Sequence, residues 1–203
     1  MPPSLHDFKY DAIFYTNSKK IIGDKDWLRV KALCYQESKF DKEAESSAGA
    51  IGLCQLMPET FNWVVKRMKV VTNDIRDPEA NIIASLGYIH WIQSQWHRDR
   101  TDQEHWELVY ASYNAGLGNI LKAQKICNNS KLWDQIKSCL SQVTGQKNSQ
   151  ETINYVDKIN RWHKKLEQCA TKTIQSSIYN NVIKHFYEYC SFIDYFQNWK
   201  VKS

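Results

Sequence analysis

The chain has 203 residues, enough for one domain with its own hydrophobic core and a small appendage. Its 42% hydrophobic and 24% charged residues are ordinary for a globular chain, and no stretch approaches the roughly 18 uninterrupted apolar residues of a membrane-spanning helix. A net charge of +5 favours an anionic partner, but no basic run exceeds two residues, which argues against a dedicated nucleic-acid surface.

Four Pro and seven Gly leave few breaks, and the apolar periodicity is helical nearly throughout. The start, Met1 to Asp7, lacks a basic segment followed by an apolar one, so no signal peptide is visible. Residues 5–18, with Phe8, Ile13 and Phe14, read as a short N-terminal helix. Asp24 or Asp26 can cap a second helix, whose Trp27, Val30, Leu33 and Cys34 form an apolar stripe with Glu37 in the last turn. Ser38 to Gly52 has neither helical nor strand period and reads as a loop. Pro58 opens the next helix, and Asp77-Pro78 opens a long apolar one through Ile82, Leu86, Ile89 and Ile92. Thr101 to Glu104 is a capping box ahead of Trp106 to Ala115, which Gly116 stops. Asn148 to Glu151 suits a further helix start, leading through Ile153, Val156, Ile159 and Trp162. From 171 on, Ile178, Val182, Phe186, Cys190, Ile193 and Phe196 make one stripe of an amphipathic tail. The tail is expected to pack on the domain, with a partner or bilayer surface as its alternative.

The six cysteines form no CxxC pair and, with the histidines, no zinc-ligand spacing. They read first as buried apolar thiols, with Cys127 and Cys139 able to pair in an oxidising compartment. The 8 Trp and 11 Tyr suit a Trp-rich core, or a groove whose aromatic faces stack on sugar rings or bases.

Four segments stand out as carriers of chemistry: Tyr35-Gln36-Glu37-Ser38, Ser46 to Pro58, Ala111 to Gly116, and Glu151 to Val156. A carboxyl at position 37, between an apolar stripe and a glycine-bearing loop, can be partly buried and so keep its proton near neutral pH. A general acid for a glycosidic oxygen needs that property. The amides of Gln55 and Asn114 suit sugar hydroxyls and N-acetyl groups, although either alone is more often a cap or a surface residue.

Taken together, the four segments resemble the soluble lytic transglycosylase family, related in fold to goose-type lysozyme. That family shows a Glu-Ser pair, then Gly-Leu-Met-Gln, Ala-Tyr-Asn-Ala-Gly and Glu-Thr-x-x-Tyr-Val, and the counterparts here fall in that order within residues 27–163. Two positions depart from the pattern: Cys54 stands where Met is usual and Ser112 where Ala is common. The resemblance implies a mainly α, lysozyme-like fold of the α+β superfamily with little or no sheet. It gives a transglycosylase domain over 1–170, followed by the helical tail at 171–203. It also implies Glu37 as the single catalytic acid/base, with Ser46, Gln55, Tyr113, Asn114, Glu151 and Tyr155 binding substrate, and no metal or cofactor. The substrate would be the peptidoglycan glycan strand, cleaved between N-acetylmuramic acid and N-acetylglucosamine with formation of a 1,6-anhydro ring. Competing readings are a hydrolysing muramidase on the same fold, a non-catalytic cell-wall or virion module, and a tail that permeabilises membranes. A monomer acting in the periplasm or cell wall is expected. With no signal peptide visible, it would be delivered by a phage or be a trimmed form of an exported enzyme.

Overall fold

Helix starts and stops encoded in the sequence set the architecture. The computed structural model describes residues 4–180 apart from 69, 71, 73 and 98, and for 172–180 the backbone alone. The helices are α1 (Asp11–Ile21), α2 (Trp27–Ser38), α3 (Pro58–Met68), α4 (Pro78–Gln93), α5 (Asp102–Ala115), α6 (Leu117–Ile126), α7 (Trp133–Ile136) and α8 (Ser141–Asn180). Among the described residues there is no strand, only isolated antiparallel bridges Glu45–Ile51 and Ile51–Leu56. The fold is mainly α, as the sequence implies.

The Asp77 carboxylate caps α4 by accepting from the Ala80 N–H at 2.8 Å, with Pro78 in the first turn. Thr101 and Glu104 close a reciprocal box at the start of α5, and Gly116, at φ 83°, ends it. Three boundaries differ from the sequence reading. The first helix starts at Asp11 rather than near residue 5, because Ser4 and Asp7 hold the preceding chain in local turns. Asp26 does not cap α2; its carboxylate accepts from Trp106 Nε1 at 3.2 Å and pairs with Arg29. The helix expected from Asn148 begins earlier: α8 starts at Ser141 and is broken only at Gly145, where φ is 80°. Helices α6 and α7 had no counterpart in that reading.

α4 is apolar on every face and forms the centre, with Ile82, Leu86, Ile89 and Ile92 fully enclosed. Around it pack α1, α3 and α5, while α8 lies across α2 and α5 through Val156, Ile159 and Leu166. Gly87 lets α3 and α4 approach closely: a Cβ there would lie 2.5 Å from Val64 Cγ1 and would also collide with the Met68 sulfur.

The cysteines correct the thiol reading. Cys34 joins Cys54 across a Cα–Cα distance of 4.2 Å, Cys127 joins Cys139, and Cys169 is disulfide-bonded as well. Packing the end of α2 against the following loop brings Cys34 and Cys54 together over 20 residues of sequence. α8 passes the expected 170/171 boundary without a backbone break, and the tail's apolar stripe lies outside the described side chains.

Candidate active site

Glu37 sits in the last turn of α2, and the residues just after it reverse the chain sharply. Lys39 (φ 58°) and Phe40 (φ 64°) are consecutive left-handed residues, each costing about 1–2 kcal/mol for an L-residue with a Cβ. The Lys39 N–H closes the helix on Tyr35 O at 3.0 Å. The buried Phe40 ring offsets the strain by packing among Tyr10, Phe14 and Tyr35. The turn folds the loop back alongside α2, where Ser38 Oγ donates to Leu53 O at 2.7 Å.

Asn81 keys this loop to α4. It is wholly buried; its Oδ1 accepts from Cys54 N at 2.9 Å, and its Nδ2 donates to Ile51 O and Ile75 O at 3.2 and 2.8 Å. Gly52, at φ 84°, has no room for a side chain, since a Cβ would lie 2.5 Å from Asn81 Nδ2. Gln55 is itself left-handed (φ 49°) and donates from Nε2 to Ala44 O and Gly52 O, both at 3.0 Å. Both of its amide protons therefore serve the loop, and its carbonyl oxygen is the group left for a ligand. Ser46 Oγ accepts from Ala50 N at 3.0 Å and keeps its hydroxyl proton to give. Arg76 pins the acidic stretch from outside, donating to Glu43 O and pairing with Glu45. Glu43 and Glu45 are exposed and belong to a solvated turn.

The Glu37 carboxyl is only partly open to solvent, and desolvation pushes its pKa up to about 7. Tyr155, on α8, donates its phenol proton to Glu37 Oε1, which opposes the rise, as does the Lys39 ammonium. Burial wins. No carboxylate figures among the groups acting on Glu37. On the other side, Tyr113 of α5 donates to Cys54 O at 2.8 Å. Its proton is then spent, so the 3.3 Å contact with Ser85 is donated by the serine. Burial, and then the nearby Glu37 charge, raise both tyrosines well above the ordinary phenol value. Both remain neutral donors when Glu37 ionises.

The predicted residues thus fall into three groups. Glu37, the titrating carboxyl, forms one cluster with the neutral phenols of Tyr113 and Tyr155. Asn114 and Glu151 line a neighbouring polar hollow of about 230 Å³ with Asn119, Thr144, Asn148 and Thr152. Thr152 Oγ1 lies 2.8 Å from Asn114 Oδ1 and 3.0 Å from Asn148 O, so its single proton is shared between two acceptors and ties Asn114 to α8. Ser46 and Gln55 belong to the loop, and among the described residues neither shares a hydrogen bond with Glu37. The sequence reading missed Asn81, Ser85 and Thr152. Its overlooked signal was two polar residues at i, i+4 inside the apolar α4 stripe. Among the described residues no three His, Cys, Asp or Glu side chains group as a metal site would require.

A family profile described as the transglycosylase SLT domain matches residues 15–136. The chain belongs to this family. Curated relatives include membrane-bound lytic murein transglycosylase F of Actinobacillus succinogenes, 29% identical over 168 residues, covering 76% of this chain and 33% of the relative. The Pasteurella multocida protein of the same description is 29% identical over 158 residues, covering 71% and 31%. The chain therefore spans about a third of the length of these relatives. Among solved structures, an inactive mutant of lytic transglycosylase Slt from Pseudomonas aeruginosa aligns with a TM-score of 0.64 at 23% identity, covering 80% of this chain and 25% of that one. The 70 kDa soluble lytic transglycosylase of Escherichia coli aligns at 0.60 and 22% identity, covering 78% and 24%. These structures share the SLT-family fold with the chain.

Proposed function

We propose that this SLT-family domain is a peptidoglycan lytic transglycosylase in which Glu37 alone acts first as acid and then as base. The observation that carries this reading is the single carboxyl group held near a pKa of about 7, with Tyr155 donating to it and no second carboxylate acting on it. A paired-carboxylate glycosidase would need a partner about 5–5.5 Å away for retention or roughly 6.5–9.5 Å away for inversion. Here the protonated Glu37 gives its proton to the oxygen between N-acetylmuramic acid and N-acetylglucosamine, and the C1–O bond breaks. The N-acetyl group supports the electron-poor C1. The resulting carboxylate takes the proton from the C6 hydroxyl of the same sugar, whose oxygen closes on C1. The proton count balances, no water is consumed, and the tethered nucleophile gains an effective-molarity advantage over free water.

Ser46, the Gln55 carbonyl, Asn114 and Glu151 would hold the flanking sugars, while Tyr113 and Tyr155 set the position and acidity of Glu37. Disulfides at Cys34–Cys54 and Cys127–Cys139 suit an oxidising compartment such as the periplasm or cell wall. Among the described residues no helix is long and apolar enough to cross a membrane. The domain is proposed to work as a monomer.

Digestion of purified sacculi followed by mass analysis of the products tests the reaction. Anhydro-muropeptides, one water lighter than hydrolysed ones, are expected from the wild type and not from Glu37→Gln. Hydrolysed products would replace the proposal with a muramidase, and equal activity of the variant would remove Glu37 from the chemistry.

A further inference from the structure

Four aromatic rings run outward from the Glu37 cluster across three helices. Tyr113 on α5 lies 5.4 Å from Tyr88 on α4, Tyr88 stacks on Trp91 at 5.8 Å and 15°, and Trp91 meets Trp63 on α3 at 5.4 Å and 75°. The track ends at the surface, where Trp63 is 37% exposed. Hollows of about 330 and 230 Å³ flank the Trp63–Trp91 corner, the larger lined by Glu59, Thr60 and both tryptophans. The smaller is floored by Gly87, whose missing Cβ brings α3 and α4 together and sets the corner. The Arg67 guanidinium lies over the Trp63 ring at 5.2 Å. Neither tryptophan takes part in the acid/base cluster.

We infer that the Trp63–Trp91 corner is a distal subsite that stacks a sugar ring of the glycan strand, beyond the sugars at the scissile bond. This inference rests on the proposed function and extends it. A pyranose offers an apolar C–H face ringed by equatorial hydroxyls. The corner offers a broad aromatic wall with the Glu59 carboxylate and Thr60 hydroxyl at its margin. A lipid tail carries no group that could pair with the carboxylate or the hydroxyl at the margin. Ring-to-ring contacts connect the corner through Trp91 and Tyr88 to Tyr113, on which the Glu37 charge acts.

The test uses the full chain carrying Glu37→Gln, so that substrate is bound and not consumed. Calorimetry measures affinity for a peptide-free glycan tetrasaccharide and dodecasaccharide, with phosphatidylglycerol vesicles as a separate arm. Adding Trp63→Ala is expected to weaken dodecasaccharide binding about tenfold, leave the tetrasaccharide unchanged, and be largely rescued by Trp63→Phe. In the active enzyme the same substitution raises KM for long strands and leaves kcat on the tetrasaccharide unchanged. Equal dodecasaccharide affinity with and without Trp63, or equal losses for both lengths, overturns the subsite while sacculus cleavage by the wild type preserves the function. Trp63-dependent vesicle binding with unaltered glycan affinity also overturns it, in favour of a lipid contact. A Glu37→Gln protein that binds neither glycan, together with a wild type that cleaves nothing, removes the function and the subsite with it.

Discussion

Replacing Glu37 by Gln should stabilise the folded protein, and increasingly so as pH rises. The Glu37 carboxyl has a folded pKa of about 7 against an ordinary value of 4.5. Between these values the folded state holds a proton that the unfolded chain has released, so stability falls with rising pH across that window. Below the ordinary value both states are protonated and Glu37 has no effect; above about 7 the full cost is present. At roughly 1.4 kcal/mol per pKa unit that cost is about 3 kcal/mol. Gln is close in shape to the protonated acid and still accepts from Tyr155, so any effect of the exchange that is independent of pH cancels when two pH values are compared. Thermal unfolding of both proteins at about pH 4 and about pH 8 is the assay. The gap in Tm should widen in favour of Glu37→Gln by roughly 6–12 °C at the higher pH, given about 2–4 °C per kcal/mol for a chain of this size. A gap that stays constant, or widens toward acid, would show that Glu37 is not held protonated by burial.

Tyr155→Phe removes a hydrogen bond to the charged form, worth roughly 1.5–3 kcal/mol. The alkaline limb of kcat/KM, set by loss of the Glu37 proton near neutrality, should therefore move up by about one unit or more. An unmoved or downward-shifted limb would contradict the assigned donor. Asn81→Leu leaves the Cys54 N–H and the Ile75 carbonyl without their buried partner, while the Ile51 carbonyl keeps the Leu56 N–H, and urea unfolding should show a loss of about 3–5 kcal/mol. A loss under 1 kcal/mol, read against the same scale, would mean the loop is held by other contacts. The Cys34→Ala/Cys54→Ala pair frees a 20-residue loop and should cost about 3 kcal/mol, read by the same denaturation.

Helix identity was legible wherever local chemistry decides it. Asp77-Pro78, the Thr101 box and Gly116 each act within one turn, and all three stand where the sequence puts them. Boundaries governed by distant partners were not legible. Asp26 gives up its capping role because Trp106, 80 residues away, claims its carboxylate. The candidate site divides in the same way. Glu37 was readable from its place between an apolar stripe and a loop, but its neighbours Tyr155 and Tyr113 came from the family resemblance. Gln55 shows the limit of reading chemistry from residue type: its amide looked ready for a sugar, yet its donors are committed to Ala44 and Gly52. The left-handed pair Lys39–Phe40 left no trace in composition, because neither residue favours that conformation and only the packing of Phe40 enforces it.

Cys34 and Cys54 are both wholly enclosed, so a reducing agent meets their bond only when α2 and the loop part company. Under excess reductant the appearance of new thiols at these two positions would be paced by that parting rather than by sulfur chemistry. The linkage thus doubles as a built-in recorder of local breathing: peptide mapping of alkylated protein over time would count the openings that part α2 from the loop.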